Sequence, residues 1–454
     1  MQRTLRPPAV AVAALLLFVP ATLAGGPSSH HQGEVVEIGS PAAQLRVDLD
    51  RLLAEHAFLT IEQMRSGLAN SPDFAAAAAA VEGNSADVTA AIASIYGPGA
   101  ADPFGDIWRS HIGYLVDYSI ALRDGDETTQ QAALSGLATY RTRLHKFLGD
   151  ANPGIDLSEI AEALDMHTAQ LLEFIEAEHA GDHEGAYELE RAAYPHMFEM
   201  GDALARVIAN KFRDRFTGVD VAYSAAGTLR VTLDMLLGEH AFLAAEAMRS
   251  GLIGAPDFEA AKGAIRGNSA DLQAVVKAAY GGEAARAFRD LWDGHVAAYL
   301  AYIEATRTND AAARTQAIGQ VNTYAEQLAD FLAAANPFLD AEALAALFQE
   351  HAAHLAGQVE AYAASDYEAT YTLVRTAYSH MFMAGEALAV GIASQMPELF
   401  PADAPAPDTA TMSDHHGGPG ITVILLALLG PALALGIAML MRTSRAAPGG
   451  RPRG

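Results

Sequence analysis

The sequence predicts an all-α protein: two tandem homologous helical-bundle lobes of about six helices each, followed by one C-terminal transmembrane helix. Three observations predict it. Residues 45–216 recur at 229–400 with a constant offset of 184 and no gap, and 76 of the 172 positions are identical. Alanine, leucine and glutamate dominate both copies, with no sustained period-two alternation that would indicate strands. Ile421 to Met441 is an uncharged run of 21 residues, enough to cross a bilayer as a helix.

In the first copy the apolar periodicity predicts helices near 45–69, 72–96, 102–123, 127–149, 156–179 and 183–213, repeated 184 residues later. Breaks fall at Ser71-Pro72, Gly97-Pro98, Asp124-Gly125 and Asn152-Pro153, where turn chemistry interrupts helices. Asn336-Pro337 repeats the last break, and Asp156 and Asp340 follow as N-caps. The domain reading is a signal peptide at 1–24, a flexible leader at 25–44 and lobe 1 at 45–216. A linker at 217–228 leads to lobe 2 at 229–400. A Pro/Ala-rich stalk at 401–420, the membrane helix at 421–441 and a basic tail at 442–454 complete it.

The ends set the expected location. Arg3 and Arg6 precede an apolar run from Ala9 to Val19, with small residues Thr22 and Ala24 at a cleavage position, the pattern of a secretory signal. Arg442, Arg445, Arg451 and Arg453 follow the C-terminal apolar run, and positive charge stays on the cytoplasmic side. The expectation is a single-pass cell-membrane protein whose lobes lie outside the cytoplasm. A net charge of −26 repels nucleic acid, so no nucleic-acid partner is expected. With no cysteine, disulfides and thiolate metal sites are excluded.

The repeat acts as a filter on candidate ligands. Of 16 histidines, eight form four superposed pairs: His56/His240, His111/His295, His167/His351 and His196/His380. Each falls on an apolar helix stripe. In the first helix the stripe is Leu49, Leu52, Leu53, His56, Leu59 and Met64, at steps of three and four. The third, fifth and sixth helices carry His111, His167 and His196 in the same way. A buried imidazole must be hydrogen-bonded or ligated, since desolvating an unpaired polar group costs about 1–3 kcal/mol. Helical bundles build metal sites from side chains converging out of facing helices. Imidazole suits zinc, copper and iron. The expectation is therefore one four-histidine site in each lobe, holding iron, copper or zinc, with haem as the other occupant considered.

Glu55 and Glu239, directly before the first histidine of each lobe, are expected outside the ligand set as acceptors from it, because adjacent helix residues diverge by about 100°. Asp87 and Asp271, in the repeated Gly-Asn-Ser-Ala-Asp segment, are candidates for the same role. The bland account of each is structural. Tyr118, Tyr140, Tyr194 and their copies offer hydrogen bonds to lone histidines, and Arg191/Arg375 with Asp202/Glu386 suggest buried ion pairs with Glu55 or Asp87. Met64/Met248 and Met197/Met381 also recur, and methionine beside histidine is a copper-ligand option, though methionine is more often core filler.

Glu-His-Ala-Phe-Leu, Asn-Ser-Ala-Asp, Trp-x-x-His, Ala-Asn-Pro and His-Met-Phe with Gly-x-Ala-Leu-Ala, in that order, resemble a group of uncharacterised secreted helical proteins of bacteria. The resemblance implies one histidine in the first, third, fifth and sixth helix of each module and imports no established activity. The acidic residues that accompany the fifth-helix histidine in that group are partly present, as Glu173 and Glu176, and only Glu176 has a copy, Glu360. No Glu-x-x-His pair of the di-iron type recurs in both lobes.

The leading functional expectation is a membrane-anchored, extracytoplasmic metal- or haem-binding protein. A helical envelope scaffold that contacts another envelope protein, with structural histidines, is the second. A metal-dependent enzyme is the third, although no nucleophile motif or phosphate-binding loop supports it.

Overall fold

The structure, a computed structural model, describes residues 35–154 and 156–401. Lobe 1 comprises α1 (Pro41–Ala69), α2 (Phe74–Tyr96), α3 (Pro98–Asp124), α4 (Glu127–Ala151), α5 (Ser158–Ala180) and α6 (His183–Lys211). A short α7 (Val219–Ala222) leads to lobe 2, which comprises α8 (Ala225–Ile253), α9 (Phe258–Arg307), α10 (Ala311–Ala335), α11 (Ala341–Ala363) and α12 (Tyr367–Gln395).

The repeat explains the unequal helix count. Gly97 separates α2 from α3 with φ 88° and ψ 165°, and its copy Gly281 interrupts α9 with φ 85° and ψ 174°. Only glycine adopts that conformation readily. Pro98, with no N–H to donate, follows the first break; Gly282 follows the second. Each lobe thus has the six segments expected. Asp340 caps α11 by accepting from Ala343 N. Asp156 differs: it accepts from Ser158 N at 3.0 Å, and the cap position of α5 falls to Leu157.

The expected C-terminal transmembrane helix is not part of this fold as described. Among the described residues no helix is long and apolar enough to cross a membrane, so the fold class is corrected to an all-helical body without such a span. The central helices α1 and α8 are buried on nearly all sides, but they carry charged residues such as Glu62, Arg65, Glu246 and Arg249 along their length. The expected signal, stalk, membrane segment and tail lie outside the described residues.

Two connecting segments are better ordered than their composition suggests. In the expected flexible leader, Val36 N donates to Ser394 Oγ at 3.0 Å, Ile38 is buried, and Ser40 caps α1. The linker carries α7 and buries Ala222 and Tyr223.

The two lobes form one compact body. α6 packs along α1 and reaches α9; α12 packs along α8 and reaches α2. Each sixth helix therefore touches the second helix of the other lobe, and the contacts repeat as in a pseudo-symmetric dimer. Phe58 stacks on Phe242 with ring centres 3.8 Å apart, and Tyr194 Oη donates to Tyr378 Oη at 3.4 Å. Arg375 of α12 donates to Glu55 at 3.0 and 3.1 Å and to Asp87 at 2.6 Å. Arg191 of α6 repeats the clamp on Glu239 and Asp271. Asn84 donates to Glu55 at 2.8 Å, completing the acceptor geometry. A Cβ on Gly83 would come within 2.7 Å of the Arg375 guanidinium, which explains the glycine of the Gly-Asn-Ser-Ala-Asp segment.

A second charged network is buried at the seam. Arg65 donates to Glu62 at 2.8 Å, Glu178 at 2.9 Å, Glu190 at 3.0 Å and, across the seam, Glu246 at 2.5 Å. Arg249 reaches Asp257 at 2.5 Å and Glu246 at 3.3 Å. Carboxylates outnumber guanidiniums here. Burial, followed by repulsion from Glu246, pushes the Glu62 carboxyl well above its usual range, whereas Arg65 and Arg249 overcome burial to hold Glu246 low. Of the two, Glu62 is the carboxyl that burial and Glu246 push towards its neutral form.

Candidate metal centre

In lobe 1 the cluster is built from three helices. α1 presents His56, α3 presents His111 and α5 presents His167, and all three are buried. One ligand atom from each lies within 4.8 Å of the other two, a group that could hold a metal ion. His56 Nε2 and His111 Nε2 are 3.0 Å apart. The His56 and His167 ring centres are 5.9 Å apart.

The hydrogen bonds fix the tautomers. His111 Nδ1–H donates to the Trp108 carbonyl one turn earlier, leaving the His111 lone pair on Nε2, towards the cluster. His56 Nε2–H must then donate across the 3.0 Å contact. His56 Nδ1 accepts from Thr60 Oγ1 at 3.5 Å. Neither nitrogen of His167 has a partner, although both are buried. Such an orphaned pair is costly unless the ring is a ligand. Trp108 packs against His56 at 4.5 Å, and Tyr140 stacks on His111 at 4.4 Å, walling the cluster from water.

Burial holds the three rings neutral. It drives His111 down to about 4, the Trp108 carbonyl opposing only part of the shift. Burial and then His111 and His196 bring His167 to about 3. Burial and then the two neighbouring imidazoles hold His56 well below the usual histidine range. No carboxylate contributes to any of these shifts.

Lobe 2 places its three imidazoles in the same order, but their ligand atoms do not all come within 4.8 Å of one another as those of lobe 1 do. His240 Nε2 and His295 Nε2 are 3.4 Å apart, and the His240 and His351 rings are 5.9 Å apart. Both nitrogens of His351 and Nδ1 of His240 and His295 lack partners. Burial lowers His295 to about 4 and His351 to about 3. Ala244 replaces Thr60, so His240 has no hydroxyl behind it.

The fourth histidine of each lobe stands outside the trio. His196 Nε2–H donates to Ala163 O at 2.9 Å, and His380 Nε2–H donates to Leu347 O at 3.0 Å. The four-histidine expectation is corrected to three, because the sixth-helix ring is satisfied by a fifth-helix carbonyl. The acidic candidates are corrected too. Glu55, Glu239, Asp87 and Asp271 serve the cross-seam arginines, since the turn of one residue along α1 points Glu55 to the other lobe while His56 points into its own. Glu176 and Glu360 accept from Tyr118 and Tyr302 at 2.7 and 2.9 Å. His56 and His111, with their Nε2 atoms 3.0 Å apart, could not together hold a haem from its two faces.

Sequence reasoning missed Thr60, and it noted Trp108 and its copy Trp292 only in the Trp-x-x-His motif and not as neighbours of the clustered rings. Their signal was spacing: Thr60 lies four residues after His56, and Trp108 three before His111, each one turn away on the same face.

No family model matches this chain, and neither a curated protein nor a solved structure matches it. The site alone therefore carries the functional reading.

To ligate an ion, His56 would have to present a lone pair at Nε2, with its proton on Nδ1 and Thr60 Oγ1 as the acceptor. Replacing Thr60 with valine should weaken the lobe 1 site about 10- to 100-fold, as loss of a supporting hydrogen bond does elsewhere. Competition with a colorimetric chelator checks this. Lobe 2, with Ala244, should be the weaker site by a similar factor.

Proposed function

We propose that this protein binds a transition-metal ion at the three-histidine centre of lobe 1, with a second, weaker centre in lobe 2. The observation that supports it most is His167. Its two ring nitrogens are buried and unpartnered beside the His56–His111 pair, whose facing Nε2 atoms have one proton between them. Separate structural histidines would each show their own protein partner, and the hydroxyls of Tyr118 and Tyr194 are bonded elsewhere.

Three neutral imidazoles supply borderline ligands suited to copper, zinc or iron. The lack of a nearby carboxylate favours an ion of low charge, because the desolvation cost of an uncompensated ion rises steeply with its charge. Three ligands also leave a coordination position open. With Trp108 and Tyr140 closing the cluster, the arrangement fits storage or transfer of an ion better than turnover of a large substrate.

The depressed histidines give a pH test. Protons compete with metal for imidazole, and an unperturbed histidine near 6.5 is only about one-tenth neutral at pH 5.5. Three such ligands would lose about a thousandfold in affinity between pH 7.5 and 5.5. With His111 at about 4 and His167 at about 3, this site should change by less than about threefold over that interval. Chelator competition at several pH values measures it, and a thousandfold drop would contradict the buried site.

The metal-free fold should respond to acid with the opposite preference. The unfolded chain takes up protons below about 6.5 that these buried rings refuse, so each costs about 2 kcal/mol of stability at pH 5. Glu190, raised to about 8 mainly by burial, and Asp234, raised to about 7 mainly by burial, act in the other direction. Metal retention is therefore the cleaner readout.

A further inference from the structure

The two lobes differ at the rim of the histidine cluster, on the side of the fourth histidine. In lobe 1 His196 donates through Nε2 to Ala163 O, and its Nδ1 faces Glu199 Oε2 at 3.2 Å. Both nitrogens are then donors, and a ring in that state has no lone pair for a metal. In lobe 2 His380 makes the same Nε2 bond to Leu347 O. The position of Glu199 is taken by Met383, whose side chain is 58% exposed. With its proton fixed on Nε2, His380 keeps its lone pair on Nδ1, and Met383 lies one helical turn further along α12.

A third difference completes the set. Gln170 of lobe 1 is His354 in lobe 2. The His354 ring meets the His380 ring edge-on, with centres 5.4 Å apart and planes at 81°. His354 Nδ1 is buried and has no hydrogen-bond partner. In one place lobe 2 has thus replaced an amide and a carboxylate with an imidazole and a thioether, beside an imidazole that lobe 1 holds for a different purpose.

We propose that His354, His380 and Met383 form a monovalent-copper site at the rim of lobe 2, distinct from the buried three-histidine centres. Thioether sulfur is a soft ligand that selects copper(I), and imidazole accepts the same ion. Glu350, four residues before His354 on α11, bears on that ring, so the selectivity rests on the softness of the sulfur and imidazole ligands and not on the charge of the rim. An exposed methionine is otherwise an unfavourable surface residue, and binding copper gives it a role. The equivalent rim in lobe 1 carries Glu199, Gln170 and, at the position of Glu350, an exposed Met166; it has a sulfur but lacks the second imidazole, and it does not take copper(I).

The test uses the full chain titrated anaerobically with copper(I) against bicinchoninate, with X-ray absorption at the copper edge. Met383→Glu, alone and with His354→Gln, installs the lobe 1 residues at positions where the same fold already accepts them. The wild type should show a sulfur scatterer on copper, and Met383→Glu should remove both the sulfur and one equivalent of copper(I). A chain carrying His56→Ala, His111→Ala, His240→Ala and His295→Ala should keep that equivalent, which separates the rim from the buried centres. Unchanged capacity and an unchanged sulfur signal in Met383→Glu would overturn the proposal, as would loss of the sulfur-bound copper in the buried-site variant while it remains folded.

Discussion

Replacing His56 and His111 with alanine should abolish the metal-linked stabilisation of lobe 1. The experiment is made in a chain whose second centre is already removed by His240→Ala and His295→Ala. Metal at a hundred times its dissociation constant should raise the stability of the chain with an intact lobe 1 by about 2.7 kcal/mol. The same metal should leave the fourfold histidine variant unmoved, with Met383→Glu added to both proteins when the metal is copper(I). Each protein is compared with itself, with and without metal, so the cost of truncating buried rings cancels. Two of three ligands are lost, and the remaining His167 contacts no acid that could replace them. Thermal unfolding at several metal concentrations measures the effect. An equal metal-induced shift in both proteins would place the ion elsewhere.

The largest effect on folding should come from Arg65→Met. The guanidinium binds Glu62, Glu178, Glu190 and the opposite lobe's Glu246, and its side chain is only 6% exposed. Methionine keeps some of the volume but leaves buried carboxylates without their cation. Breaking one buried pair costs about 3–5 kcal/mol, against a typical total of about 5–15 kcal/mol. The variant should therefore be partly or wholly unfolded, with the seam between lobes lost first. Glu62→Gln is the contrast. Because burial and Glu246 push Glu62 towards its neutral form, the amide should cost less than about 1.5 kcal/mol. Urea denaturation of both variants checks the pair, and similar losses in the two would contradict the assigned charge states.

The helices and the identity of the clustered rings were legible in the sequence, for physical reasons. A helix stripe repeats every three to four residues, so His56 among Leu52, Leu53 and Leu59 had to face the interior. Duplication then separated the paired histidines from the solitary ones. The role of the sixth-helix histidine was not legible. Whether His196 joins the trio or caps a carbonyl of α5 depends on the depth and rotation of α6, and both outcomes give the same apolar stripe.

The seam was half legible. Arg375 does pair with Glu55 and Asp87, as the residue types suggested, but it arrives from the other lobe. Periodicity reports which face of a helix is buried and not which neighbour buries it. With two homologous lobes, a contact within one copy and a contact between copies leave identical traces in the repeat. The same ambiguity concealed that residues 36–40 of the leader and the linker are packed, since Ser40 and Ala222 owe their order to contacts distant in sequence.

Metal content of the folded chain tests the central claim most directly. The protein should be purified without a metal-binding tag, in the His240→Ala/His295→Ala background with Met383→Glu. It should then be exposed in turn to copper(I), zinc and iron(II), desalted, and measured by elemental analysis. The account predicts close to one ion per chain for at least one of these metals, falling to background when His56 and His111 are also replaced. A folded chain that leaves every exposure without metal would contradict it.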